Sequence, residues 1–284
     1  MQQNFPKEFF QKTVSILASN FGEHESQALT YLILEKIAQI SRTDIIVNQP
    51  FELNQDKETE YNQTITRLLS NEPIQYIFQE ALFYGNTYFV NPHVLIPRQE
   101  TELLIQIISN YKKWESPKIA DIGTGSGCIA CSLALTINNA AVTGYDISQD
   151  ALLVAKRNSE TLKANVQFSQ LDILNEEIPQ KGLDLIVSNP PYVMEKEMSQ
   201  MKSNVLDHEP HLALFVEDDD PLIFYRAILK KAQTVLKKDG LVFFEINEQL
   251  GNETLLLFEQ MGFQNSILYD DLNGKQRFAS AVFI

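Results

Sequence analysis

Asp121-Ile122-Gly123-Thr124-Gly125-Ser126-Gly127 is the stretch on which the fold turns. It closes a short apolar strand pattern beginning at Lys118 and leads into Cys128-Ile129-Ala130-Cys131, which opens a helix. Glycines at 123, 125 and 127 let the backbone turn sharply and approach a ligand closely, with a helix N-terminus behind them. The spacing differs from the dinucleotide fingerprint G-x-G-x-x-G, because the third glycine comes one place early and Cys128 takes the sixth place. No Gly-Lys-Ser/Thr follows, so a phosphate-cradling P-loop is a poor match too. The next strand pattern ends in Asp146, where a carboxylate can accept hydrogen bonds from both hydroxyls of a ribose. Loop, acid and spacing together predict a bound nucleoside.

Outward from this stretch, residues 94–284 alternate apolar strands with helical segments, the pattern of a parallel sheet covered on both faces. Seven strands are predicted, at Lys118–Asp121, Ala141–Asp146, Val166–Leu171, Leu183–Asn189, Gly240–Ile246, Ser266–Tyr269 and Phe278–Phe283. Helices begin near Glu100, Gly127, Ser148, Asp220 and Glu248, and Val193–Phe215 reads as a long loop, a length that usually serves function. Before residue 70 the apolar positions recur at helical spacing, as in Leu29, Leu32, Ile33 and Ile37, with breaks at Asn20, Ser41 and Asn48-Gln49-Pro50. Ile74–Val90, rich in Tyr, Phe and Ile and split by Gly85-Asn86, reads as a hairpin. The expected division is a helical bundle over 1–73, a β-hairpin connector over 74–93 and an α/β domain over 94–284.

Composition narrows the function. The chain has 284 residues, 44% of them apolar, with 23 Lys plus Arg against 37 Asp plus Glu and a formal charge of −14. Both the first 80 residues and the remainder are acidic, so the charge is no tail. Gripping bare nucleic acid draws affinity from cations that neutralise phosphates, and this balance argues against it. No apolar run approaches the roughly 18 residues of a membrane span, and the opening residues lack signal-peptide or presequence character. A cytoplasmic address without membrane attachment is expected.

Ser188-Asn189-Pro190-Pro191-Tyr192 ends the fourth predicted strand of the sheet. Two prolines remove two N–H donors and leave nearby carbonyls without a ladder partner. An Asn offers an acceptor beside its donors, and a Tyr offers a flat face. The set suits a planar amide or amino group, one hydrogen going to the Asn189 side-chain oxygen and the other to the Pro190 carbonyl, with Tyr192 on the plane.

The glycine loop, Asp146 and Asn-Pro-Pro-Tyr together resemble class I S-adenosylmethionine-dependent methyltransferases that modify planar nitrogens. Flanking segments narrow the resemblance: Glu72–Ile77 with Phe83-Tyr84-Gly85, Val94–Glu102, Glu209-Pro210 with Ala213-Leu214, and Asp271–Arg277. They are similar to the protein-(glutamine-N5) methyltransferases that act on peptide chain release factors, from about residue 70 to the end, the N-terminal part agreeing in character only. The resemblance implies a Rossmann-like seven-stranded sheet and methylation of the glutamine in the Gly-Gly-Gln motif of release factors, with S-adenosyl-L-methionine as cofactor. It implies cofactor contacts at Gly123, Thr124, Gly125, Ser126, Gly127, Asp146, Ile173 and Asn189, and substrate contacts at Asn189, Pro190, Pro191 and Tyr192. Asn189, Pro190 and Tyr192 are the expected catalytic set. Three positions depart from the family pattern: Gln79 stands where glycine is usual, Gln99 where proline is usual, and Ile173 where an aromatic often flanks adenine.

Other readings compete. A ribosomal-protein glutamine methyltransferase shares the tetrapeptide, but the Arg98–Glu102 segment favours the release-factor branch. A DNA adenine-N6 or RNA guanine-N2 methyltransferase grips an exocyclic amine with the same motif, and the −14 charge weighs against it. A non-enzymatic binding module on a degenerate fold sits poorly with intact motifs. Cys128 and Cys131, with His208 and His211, have the outline of a zinc site, yet the cysteines lie where small residues pack helix on sheet, and no metal is expected.

Overall fold

The computed structural model describes residues 4–111 and 114–284. They form two compact units. One runs to Phe78 and includes Ser203–His208; the other comprises Gln79–Lys202 and Glu209–Ile284.

The first unit is helical: α1 (Pro6–Ile33), a π turn at Leu34–Ala38, α2 (Arg42–Val47), α3 (Gln55–Leu69) and α4 (Ile74–Phe78). Pro6 occupies the first turn of α1, where its missing N–H is no loss. Ser41 and Asp44 close a reciprocal capping box on α2, and Asn54 accepts the Lys57 N–H at 2.9 Å to cap α3. The break expected at Asn20 falls at Gly22, whose φ of +71° interrupts α1 and is accessible at low cost only to glycine. Leu17, Ile33, Ile37, Tyr61, Ile65 and Leu68 form the core.

The strand character expected at 74–78 is not found. Pro73 starts a helical turn there, its carbonyl accepting the Tyr76 and Ile77 N–H groups, because Ile74, Ile77 and Phe78 pack into the helical core. The hairpin is shorter than read, with β1 (Glu80–Phe83) antiparallel to β2 (Asn86–Phe89). Its turn pair is Tyr84-Gly85, at φ +46° and +74°, a type I′ geometry set one residue before the expected Gly85-Asn86.

The second unit is built on a seven-stranded sheet. Its strands are β3 (Lys118–Ile122), β4 (Ala141–Asp146), β5 (Val166–Gln170), β6 (Leu183–Ser188), β9 (Leu236–Glu245), β10 (Phe263–Asp270) and β11 (Gln276–Phe283); β7 (Val193–Met194) and β8 (Phe215–Val216) make a separate two-residue ladder. The order is β5-β4-β3-β6-β9-β11-β10, parallel from β5 to β9, with β11 and β10 antiparallel. All seven sequence-predicted strands are present. Side chains alternate between the faces. Ile119, Leu185, Leu241 and Phe243 pack with α5 (Gln99–Tyr111) and α6 (Cys128–Thr136), while Ala120, Ile186, Val242 and Phe244 pack with α9 (Ile223–Val235) and α10 (Gly251–Gln260). Helix α7 (Gln149–Leu162) joins β4 to β5.

The chain moves from β3 through β4 to β5 and then returns to the other side of β3 to form β6. Such a reversal opens a crevice at the carboxyl ends of the strands, where α/β sheets bind ligands. The segment read as a long loop carries two 3₁₀ turns, at Glu195–Gln200 and His211–Ala213, and the short α8 (Ser203–Leu206). Among the described residues, no helix is long and apolar enough to cross a membrane.

Candidate active site

The crevice is occupied by a cavity of about 250 Å³ in the sheet-bearing unit. Each parallel strand from β3 to β6 delivers a wall to it: Ile122–Ser126 after β3, Asp146–Ser148 after β4, Leu171–Leu174 after β5 and Ser188–Pro191 after β6. Pro97, Arg98 and Thr101 close one side, and Pro210, Leu212 and Ala213 another.

The glycine loop divides its labour. Gly123 and Gly125 hold φ of +71° and +53°, and a Cβ at either would meet nothing within 4 Å, so their backbone is bared to a ligand. Gly127 faces the protein: a Cβ there would lie 3.1 Å from Ala155 Cβ and 3.4 Å from the Phe168 ring, and the residue does not line the cavity. Its φ of +78° caps α6. Thr124 is fixed by donating to Asp121 Oδ2 at 2.6 Å. Asp121 is fully buried behind the loop, and burial pushes its carboxyl up to about 7 against the Thr124 hydrogen bond.

Asp146 Oδ2 accepts the Gly125 N–H at 2.8 Å and Oδ1 accepts the Ser148 N–H at 2.9 Å. Each oxygen keeps a further lone pair. Burial raises this carboxyl, and the backbone donors pull it back toward the charged form. Beyond β5, Ile173 lines the cavity, and its carbonyl accepts a hydrogen bond from the buried Lys231 Nζ on α9.

Asn189, Pro190 and Pro191 line the cavity. The Asn189 side chain has no protein hydrogen-bond partner among the described residues, so its Oδ1 acceptor and its NH2 donors are both free for a ligand. Tyr192 is not brought to the cavity wall; it packs against the sheet core and donates its hydroxyl to Glu245 Oε1 at 3.0 Å. Ser188 Oγ donates to the Ile122 carbonyl at 2.6 Å, tying the first and fourth loops at their roots.

Glu209 is buried and holds the far rim. Its Oε1 accepts from Arg98 at 2.7 Å and its Oε2 from the Ile96 N–H at 3.1 Å, pinning the Pro210–Ala213 wall to the Pro97–Thr101 wall. The pairing joins the Val94–Glu102 segment to Glu209-Pro210. The motifs do not mark Glu245; its one signal in the sequence is an acid closing the apolar run Leu241-Val242-Phe243-Phe244. Cys131 packs in the core beside Ile129 and Leu133, and burial pushes both thiols up to about 12, leaving them protonated.

Known proteins resemble this chain over both units. Residues 99–211 match the methyltransferase small domain model, and residues 8–78 match the PrmC N-terminal domain model. A release factor glutamine methyltransferase of Flavobacterium psychrophilum is 41% identical, with 98% of this chain and 99% of that one aligned. The chain belongs to the release factor glutamine methyltransferase family. Its relative of the same name in Enterococcus faecalis is 36% identical over 93% of this chain and 96% of its own. A crystal structure of a methyltransferase from Pyrococcus furiosus, at 19% identity and a TM-score of 0.51, covers 78% of this chain and 99% of that one and shares the fold. Against the family pattern, Gln79 takes up φ +56°, the left-handed conformation that glycine adopts freely. Gln99 is the first residue of α5, a position that proline also fits.

Proposed function

We propose that this chain transfers a methyl group from S-adenosyl-L-methionine to the side-chain N5 of the glutamine in the Gly-Gly-Gln motif of peptide chain release factors. The observation that carries the reading is the free amide of Asn189, set beside Pro190 in the wall of a cavity that begins at the glycine loop. Membership of the family supports the substrate.

The residues present fit the cofactor. Gly123 and Gly125 leave open space where other residues would place a Cβ, and the spare lone pairs of Asp146 suit two vicinal hydroxyls. Thr124, Ser126 and Ile173 complete the contacts we assign, Ile173 offering an aliphatic wall to the adenine. Gly127 contributes by capping α6 and admitting close packing. The cofactor supplies, when bound, an electrophilic methyl on a sulfonium with a good leaving group.

The chain's own task is positioning. An amide nitrogen is a poor nucleophile because its lone pair is shared with the carbonyl. Accepting its two hydrogens at Asn189 Oδ1 and the Pro190 carbonyl fixes the amide plane, and Tyr192 anchors the end of that turn in the core behind it. Orientation of this kind lowers a barrier by up to roughly 7–11 kcal/mol in favourable cases. Both acceptors also favour positive charge on that nitrogen, an interaction stronger in the transition state than before it. The acidified N–H then releases its proton to water, with no dedicated base.

We assign recognition of the Gly-Gly-Gln-bearing domain to the residues up to Phe78 and the hairpin Glu80–Phe89, and catalysis to residues 94–284, acting in the cytoplasm on protein rather than nucleic acid. Asn189→Ala tests the assignment: turnover is expected to vanish while cofactor binding stays measurable by calorimetry. Near-normal methylation by that variant contradicts it.

A further inference from the structure

Three motifs meet behind the tetrapeptide without touching the cavity through their shared centre. Glu245, at the end of β9, is buried at 2% exposure. Its Oε1 accepts from the Tyr192 hydroxyl at 3.0 Å and its Oε2 from the Thr101 hydroxyl at 2.6 Å. The Tyr225 hydroxyl donates to the Glu245 backbone carbonyl at 3.0 Å, fixing the residue's own main chain. Two residues on, Asn247 donates to the Tyr192 carbonyl at 3.2 Å and to Glu197 at 2.9 Å. The end of β9 therefore holds Tyr192 by both hydroxyl and backbone. Arg277, from the closing Asp271–Arg277 segment, adds a nearby positive charge and is itself set against Asp271 at 3.5 Å.

We propose that Glu245 is a positioning residue for methyl transfer, which fixes the Tyr192 ring, and with it the Asn189–Tyr192 turn, by bridging the hydroxyls of Tyr192 and Thr101. This rests on the methyl-transfer reading above. The geometry argues against a direct chemical role. Both carboxylate oxygens are committed to hydroxyl donors, and the group is absent from the cavity wall, so it cannot reach a substrate proton. An ordinary core position would not keep an acid there either: a buried carboxylate without such partners is strongly disfavoured. Thr101 additionally lines the cavity, so the bridge ties one of its walls to the residue that follows the Ser188–Pro191 wall.

The test compares Glu245→Gln, Glu245→Leu, Tyr192→Phe and the Glu245→Leu/Tyr192→Phe double variant. The readouts are kcat and KM with a release factor, the cofactor dissociation constant by calorimetry, and urea unfolding of the cofactor-free protein. Glu245→Leu is expected to lower kcat about 100-fold, the scale of a small misplacement at a reacting centre, with cofactor affinity unchanged. Glu245→Gln keeps one acceptor oxygen while the other hydroxyl turns to accept, and should restore most of kcat. Losses in the double variant should fall well short of multiplying, since both changes break one contact, and the unfolding energies should show the same coupling. Wild-type kcat in Glu245→Leu, multiplicative losses, or a parallel loss of cofactor affinity overturns the proposal. If Glu245→Leu does not fold, a Glu245→Gln no better than Tyr192→Phe overturns it equally. Failure of the wild-type protein to methylate release factor refutes the underlying reading instead.

Discussion

Gly144→Ala adds one methyl group where the sheet meets the glycine loop. Gly144 lies on β4 opposite Asp121, and a Cβ there falls 2.7 Å from Thr124 Oγ1 and 2.8 Å from two carbons of the Phe168 ring. Contacts that short do not persist, so the hydroxyl and the ring must both move. Inserting a methyl group into a close-packed site costs about 1–3 kcal/mol. Displacing the Thr124 hydroxyl also takes the 2.6 Å hydrogen bond from the buried Asp121, and an abandoned buried acceptor costs about 1–3 kcal/mol more. A destabilisation of about 2–6 kcal/mol is expected by urea denaturation at constant m. Thr124 lines the cavity, so calorimetry should also find weaker S-adenosylmethionine binding. Thr124→Ala removes the atom nearest the new methyl group, and the double variant should be more stable than the two losses predict by about 1–2 kcal/mol. A Gly144→Ala protein within about 0.5 kcal/mol of wild type, or strict additivity with Thr124→Ala, refutes the reasoning.

Gln79→Gly should raise stability by roughly 0.5–1 kcal/mol, because φ +56° strains a residue with a Cβ by about 1–2 kcal/mol and glycine's extra chain entropy offsets part of the gain; a loss on urea denaturation speaks against left-handed geometry there. Asp121 gives a pH signature. Its folded value near 7 lies above the ordinary 3.8, so its contribution is fully present below pH 3.8 and is lost as the pH rises through about 7, on the order of 4 kcal/mol across the window. Asp121→Asn should flatten the fall in unfolding free energy between those limits, and an unchanged slope contradicts a buried, protonated carboxyl.

The sheet was legible because strands buried on both faces read as unbroken apolar runs, such as Leu183–Val187, whatever their partners. The cavity walls were legible where a motif ends a strand, as at Gly123–Ser126, Asp146 and Asn189–Pro191. Local pattern misled where tertiary packing chose the conformation. Ile74–Phe78 has strand composition, yet its apolar side chains complete a helical core and it coils. Gly127 looked like its two neighbours in the loop and instead makes room for Ala155. Glu245 shows in the sequence only as an acid closing an apolar run, because its partners, Thr101 and Tyr192, lie 144 and 53 positions away and only the fold joins them.

The central claim is that the Asn189–Pro190 grip takes a glutamine amide on a release factor rather than an amine on a base. Methyl-labelled S-adenosylmethionine, offered to this protein with a purified release factor, its Gly-Gly-Ala variant, a ribosomal protein, DNA and ribosomal RNA, tests it directly. Label is expected on the wild-type release factor alone. Label on the Gly-Gly-Ala variant, on the ribosomal protein or on either nucleic acid contradicts it.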